Sequence, residues 1–278
     1  MPLPLVTRKS IRDNQEHLDS AVELIKTVSG ADWTFEIDFE TIFSKLGDGC
    51  DYVKNDAGNF FYKEVAMSIA NCVERACKQE MTKEALVEAN SQSKVIIRVN
   101  EDKKNTNYWK YMFEAGSLVV IFRAPPCNVS DLTYFDLASI IPSPGALSLK
   151  ARLNLKNNQE AIQESLEQIK VATKVDWSYD EESLETCYTT IDSNKDSIGE
   201  IFKEIINYVA TNITKRCADE MVLEAFNEVT TNARIILRHN PKQSNYWQWI
   251  FENQNLVISF KSICNVSDNC YFDFEKLL

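Results

Sequence analysis

Residues 107–122 read NYWKYMFEAGSLVVIF, and residues 245–260 restate them as NYWQWIFENQNLVISF. In both stretches large aromatic residues alternate with other residues: Trp109, Tyr111 and Phe113, then Trp247, Trp249 and Phe251. That spacing is the strand period, because successive side chains leave a pleated backbone on opposite faces. The interruptions EAGS and ENQN suit a hairpin turn. An aromatic hairpin written twice constrains the chain to a duplicated design, so the remainder is read for further correspondences.

They run nearly end to end. At an offset of 144, Arg8 meets Arg152, and Asp32-Trp33 meets Asp176-Trp177. At 140, Cys77 meets Cys217, Glu80-Met81 meets Glu220-Met221, and Arg98 meets Arg238. At 138 the hairpins coincide, and at 137 Cys127-Asn-Val-Ser-Asp131 falls on Cys264-Asn-Val-Ser-Asp268. Small steps in the offset are what deletions in loops produce. The expected domains are therefore a first repeat unit at 1–140, a linker at 141–145 and a second unit at 146–278. The linker Ile-Pro-Ser-Pro-Gly carries the residues that punctuate regular structure.

Within each unit the pattern predicts an opening strand or arm, a helix, a strand, a long helix and a closing antiparallel β-meander that contains the aromatic hairpin. Residues 147–156 alternate as a half-buried strand does, while Pro2 and Pro4 reduce the first copy to an edge strand or extended arm. Asp13 with Glu16, and Asn157 with Glu160, are spaced as helix N-caps with an acid three residues on. Residues 32–43 alternate again, with Trp33, Phe35, Ile37 and Phe39 on one face, and residues 46–59 read as loop. The long helix spans residues 60–89 and 198–229 with a break expected near Gln79, and Tyr134-Phe-Asp-Leu137 is expected to add a last short strand. Helices on one face of such a sheet give an α+β fold, with the two units packed as a pseudo-twofold pair.

Several activities are argued against. The net charge of −11 repels a polyanion, and the basic stretches at 8–12 and 103–110 are short and interrupted by acids, so no nucleic acid partner is expected. No run approaches the ~20 apolar residues of a membrane helix, and no membrane partner is expected. The start MPLPLVTRKSIRDNQ lacks an apolar stretch long enough for a secretory signal, so the expected location is cytoplasmic. The eight cysteines form no CxxC pair and are expected as free thiols. Seven glycines leave no phosphate-cradling loop and no nucleophile elbow. No cofactor and no metal are expected.

Both histidines lack a counterpart: Ala161 stands opposite His17 and Val99 opposite His239. Surface or turn roles are the preferred reading for them. The Cys-Asn-Val-Ser-Asp pentapeptide offers a thiol or a carboxylate, but its residues are turn formers and a turn is preferred. Glu36 and Asp38, matched by Asp180 and Glu182, suit a solvated strand face better than a cation site. Trp109, Tyr111, Trp247 and Trp249, with Asn107 and Asn245 just before each strand, are the candidate binding residues, since exposed aromatic side chains anchor partners. The alternative makes those rings the core face. The expected function is a non-catalytic binding or scaffolding protein acting through a protein surface or the groove between the repeats. An enzyme with one unduplicated carboxylate or cysteine site, and a carrier of a small apolar ligand, are the alternatives. A protein partner is expected, and a small-molecule ligand is allowed.

Overall fold

The computed structural model describes residues 3–47, 49–102, 104, 106–191 and 193–278. Pro2 of the expected arm, Asp48 and Asp192 of the polar loops, and Lys103 of the basic stretch lie outside the described residues. The chain divides into two compact units, Met1–Pro142 and Ser143–Leu278, each mixing helices with one four-stranded sheet.

Unit 1 begins with helices α1 (Leu5–Asp13) and α2 (Gln15–Ser29), strand β1 (Thr34–Ile37) and helices α3 (Phe39–Lys45) and α4 (Asp51–Asn55). A π-helical stretch, Asn59–Ala66, runs into α5 (Met67–Cys77), and α6 (Glu80–Ala89) follows. Strands β2 (Lys94–Val99), β3 (Trp109–Glu114) and β4 (Ser117–Phe122) complete the sheet, and the short α7 (Ser130–Tyr134) closes the unit with a 3-10 turn at Leu137–Ser139. Unit 2 opens on α8 (Leu149–Thr173), then β5 (Ser178–Tyr179), α9 (Glu181–Tyr188), α10 (Ile198–Arg216) and α11 (Glu220–Val229). Its last strands are β6 (Arg234–His239), β7 (Trp247–Glu252) and β8 (Asn255–Phe260).

The strand orders are β1-β2-β4-β3 and β5-β6-β8-β7. The expected antiparallel meander is thereby corrected to a mixed sheet. In unit 1, β1, β2 and β4 are parallel, with Val95 opposite Leu118, and only β3 runs against its neighbour. Unit 2 repeats this, with Ile235 opposite Leu256. The second strand of each hairpin sits in the middle of the sheet, and all six residues Ser-Leu-Val-Val-Ile-Phe of β4 are buried, as in a strand covered on both faces. The hairpins turn on two residues with positive φ, Ala115-Gly116 and Asn253-Gln254, the backbone that matches the twist of paired strands.

Other expectations are corrected as well. Of the stretch 147–156, residues 149–156 are helical: Ser148 caps α8 by accepting from the Ala151 amide at 3.1 Å, and Leu149 and Ala151 are buried. The first copy is the helix α1, beginning just after Pro4. The chain breaks at Asn14 in unit 1, whereas Asn157 lies inside the uninterrupted α8. The strand expected over 32–43 ends at Ile37, where Asp38 caps α3, and residues 46–59 include α4. The 134–137 stretch is α7 and a turn rather than a strand.

Two glycines set how closely the first helix of each unit crosses the later one. A Cβ on Gly58 would lie 2.0 Å from the Ser10 carbonyl oxygen, and one on Gly199 would lie 2.4 Å from that of Asn154. At both crossings a side chain accepts from the amide so approached. Ser10 Oγ takes the Gly58 N–H, and Asn154 Oδ1 takes the Glu200 N–H, each at 2.9 Å.

Candidate functional site

The aromatic residues singled out in the sequence are structural anchors. Trp109, Tyr111, Trp247 and Trp249 are all buried. The Trp109 and Trp247 indoles donate to the Cys127 and Cys264 carbonyls, each at 2.6 Å. Tyr111 donates to the Leu132 carbonyl and Trp249 to Asn269 Oδ1. Each hairpin is thus tied to the Cys-Asn-Val-Ser-Asp segment beyond it, and that segment is a turn with Asn128 and Asn265 in the left-handed region. Asn107 and Asn245 are exposed just before β3 and β7.

The acids on the strand faces have local partners. Asp38 accepts from the Thr41 amide and hydroxyl, and those bonds hold its carboxyl below the usual range. Glu36 pairs with Lys94, and Asp180 with Arg234. Among the described residues, no group of three His, Cys, Asp or Glu side chains is placed to hold a metal ion. Burial pushes the Cys72, Cys77, Cys187 and Cys217 thiols up to about 11, the opposite of what a nucleophile needs.

The site that sequence reasoning missed is a hollow of about 660 Å³ in unit 2. It lies beyond the carboxyl ends of the parallel strands β6 and β8, where open sheets flanked by helices offer their crevices. Three walls form it. The strand ends supply His239, Phe260, Lys261 and Ser262, the first turns of α10 supply Glu200, Ile201 and Glu204, and the preceding loop supplies Thr190, Ser193 and Asn194.

Each wall is fixed by the local fold. His239 Nε2 lies 3.2 Å from the Lys261 carbonyl oxygen, so this nitrogen carries the proton in the neutral ring and Nδ1 is the acceptor. The imidazole also lies 5.3 Å from the Phe260 ring, centroid to centroid. The Lys261 amide donates to the Tyr246 carbonyl at 3.0 Å, which pins the strand end from its other side. The loop is held by Asp196, which accepts from Ser148 Oγ at 2.5 Å. Asn154 fixes the first turn of α10 through the Glu200 amide.

Unit 1 has a smaller hollow of about 550 Å³ at the matching place, lined by Val99, Arg123 and Ala124 where unit 2 has His239, Lys261 and Ser262. With Gly58 matched to Gly199, Phe60 and Phe61 stand where unit 2 has Ile201 and Phe202. Both rings are buried; they lie 5.0 Å apart, and Phe61 packs 5.9 Å from Phe122. Tyr52 packs on Phe60 and donates to the Pro126 carbonyl. Lys45 and Glu101, which also line that smaller hollow, are paired with each other. A third concavity, of about 660 Å³, lies on the outer face of this sheet over Ile96, Met112 and Ile121. The lone signal for the unit 2 site was His239, whose lack of a counterpart was read against it.

No family model matches the chain, and neither does any curated protein or solved structure. Among the described residues, no helix is long and apolar enough to cross a membrane.

Proposed function

We propose that the chain is a non-catalytic binding protein made of two copies of one α+β unit, in which the second copy carries the larger small-molecule pocket. The observation that carries this reading is the hollow beyond β6 and β8, with polar and charged groups converging on it from three separately anchored walls. Binding without catalysis is supported by the partner of His239, a backbone carbonyl rather than a hydroxyl or thiol that the ring would activate. All eight cysteines are free thiols, which supports residence in a reducing compartment.

The chain has only two histidines, so the imidazole signals of labelled protein report the pocket directly. Titration of a soluble fragment library is expected to shift the His239 signals and leave those of His17 unchanged. If no fragment separates the two histidines, the pocket reading fails. A second reading, a protein-binding surface, is favoured by the outer sheet face of unit 1, where Ile96, Met112 and Ile121 are ringed by Glu36, Arg98 and Lys110. Its test is loss of a co-purifying protein on Met112→Asp.

A further inference from the structure

The unit 2 hollow is polarised. Glu200 and Glu204 stand one turn apart on α10, so their carboxylates share a face of the helix. Lys261 rises from the opposite side, just beyond β8, and its backbone is held at both the amide and the carbonyl. Among the described residues, neither acid nor the lysine makes an ion pair. Aliphatic side chains, Ile191, Ile201 and Ile263, line the same space.

From this arrangement we infer that the pocket takes a zwitterionic small molecule, an α-amino acid with an aliphatic side chain. The ammonium group meets Glu200 and Glu204, the carboxylate meets Lys261, and the side chain lies on the isoleucines. The inference rests on the pocket reading above and names its ligand class. A phosphorylated ligand fits less well. Two carboxylates face one lysine, and the Glu200 N–H, one of the amides an anion would seek at the start of α10, is already given to Asn154 at 2.9 Å. The volume of about 660 Å³ is ample for an amino acid of leucine size.

The test uses the full chain and four probes at neutral pH: L-leucine, 3-methylbutylamine, 4-methylpentanoate and inorganic phosphate, followed by calorimetry and by the His239 signals. L-leucine is expected to bind at least about tenfold more tightly than either single-charge analogue, the size of effect that one charge-assisted hydrogen bond supplies. Lys261→Met is expected to remove that advantage over the amine, and Glu200→Gln with Glu204→Gln the advantage over the acid. All of these side chains are at the surface, so the variants keep the fold. Amine binding equal to that of L-leucine, or phosphate binding in its place, overturns the zwitterion assignment. If an uncharged fragment shifts His239 while L-leucine does not, the ligand class is wrong and the pocket reading survives. If no probe or fragment shifts it, both fall.

Discussion

Replacing Gly199 by alanine tests the packing that holds the pocket's α10 wall. The added Cβ would lie 2.4 Å from the Asn154 carbonyl oxygen and 2.4 Å from the Leu155 Cα, both backbone atoms of the 25-residue α8. Carbon contacts are relaxed at about 3.5–4.0 Å, so the two helices must separate by about 1 Å or more. Overpacking of this kind costs about 1–3 kcal/mol. Separation also stretches the 2.9 Å bond from the Glu200 amide to Asn154 Oδ1, worth about 1 kcal/mol. The greater helix preference of alanine returns up to about 1 kcal/mol. The net expectation is a loss of about 2 kcal/mol, or a fall in Tm of about 5–8 °C for a unit of this size. Urea and thermal unfolding of the full chain measure it, with Gly47→Ala as the control. A Cβ on Gly47 meets nothing within 4 Å, so that variant should stay within about 0.5 kcal/mol of the parent. If Gly199→Ala is equally silent, the close helix crossing does not exist as described.

Trp247→Phe keeps a ring under β8 but removes the indole that donates to the Cys264 carbonyl at 2.6 Å; urea unfolding should show a loss of about 1–2 kcal/mol, and a neutral result would mean the bond contributes nothing. Native protein at pH 8 should expose about three of its eight thiols to an aromatic disulfide reagent, Cys127, Cys264 and Cys270, because the other five are buried or held in the thiol form. Those raised thiols also give a pH dependence. Their native values of about 11 stand above the ordinary 9.0, so the native state holds more protons than the unfolded chain between those limits. Stability is full below pH 9 and falls as pH rises towards 11; a flat unfolding free energy across that window would refute the assignment.

The hairpins were legible because two-residue alternation and a short turn are local signals. Sheet order was not, since periodicity does not say which strands pair. Ser117–Phe122 held one clue: a run apolar after its first residue, with no alternation, is what a strand buried on both faces looks like. The helix from Leu149 was missed because Leu147, Leu149, Ala151, Leu153 and Leu155 alternate, yet Leu, Ala, Lys and Arg are helix formers and Ser148 is a capping residue. Composition, not period, decided that segment. The pocket was hidden for a related reason. His239 and Lys261 are 22 residues apart and meet only because β6 and β8 are neighbours. His239 also has Val99 at its corresponding position, so a comparison of the two halves of the sequence does not single it out.

The order of strands has a consequence for synthesis. In each sheet the last strand to be made is an inner one: β8 enters between β6 and β7, and β4 between β2 and β3. As a nascent chain lengthens, β6 and β7 are already present but share no partner until residues 255–260 have followed them. A chain that stops before Asn255 therefore lacks the strand that joins β6 to β7. The sheet of unit 2 is joined only by its last strand, and a ligand held around His239 and Lys261 has no site until that strand is made.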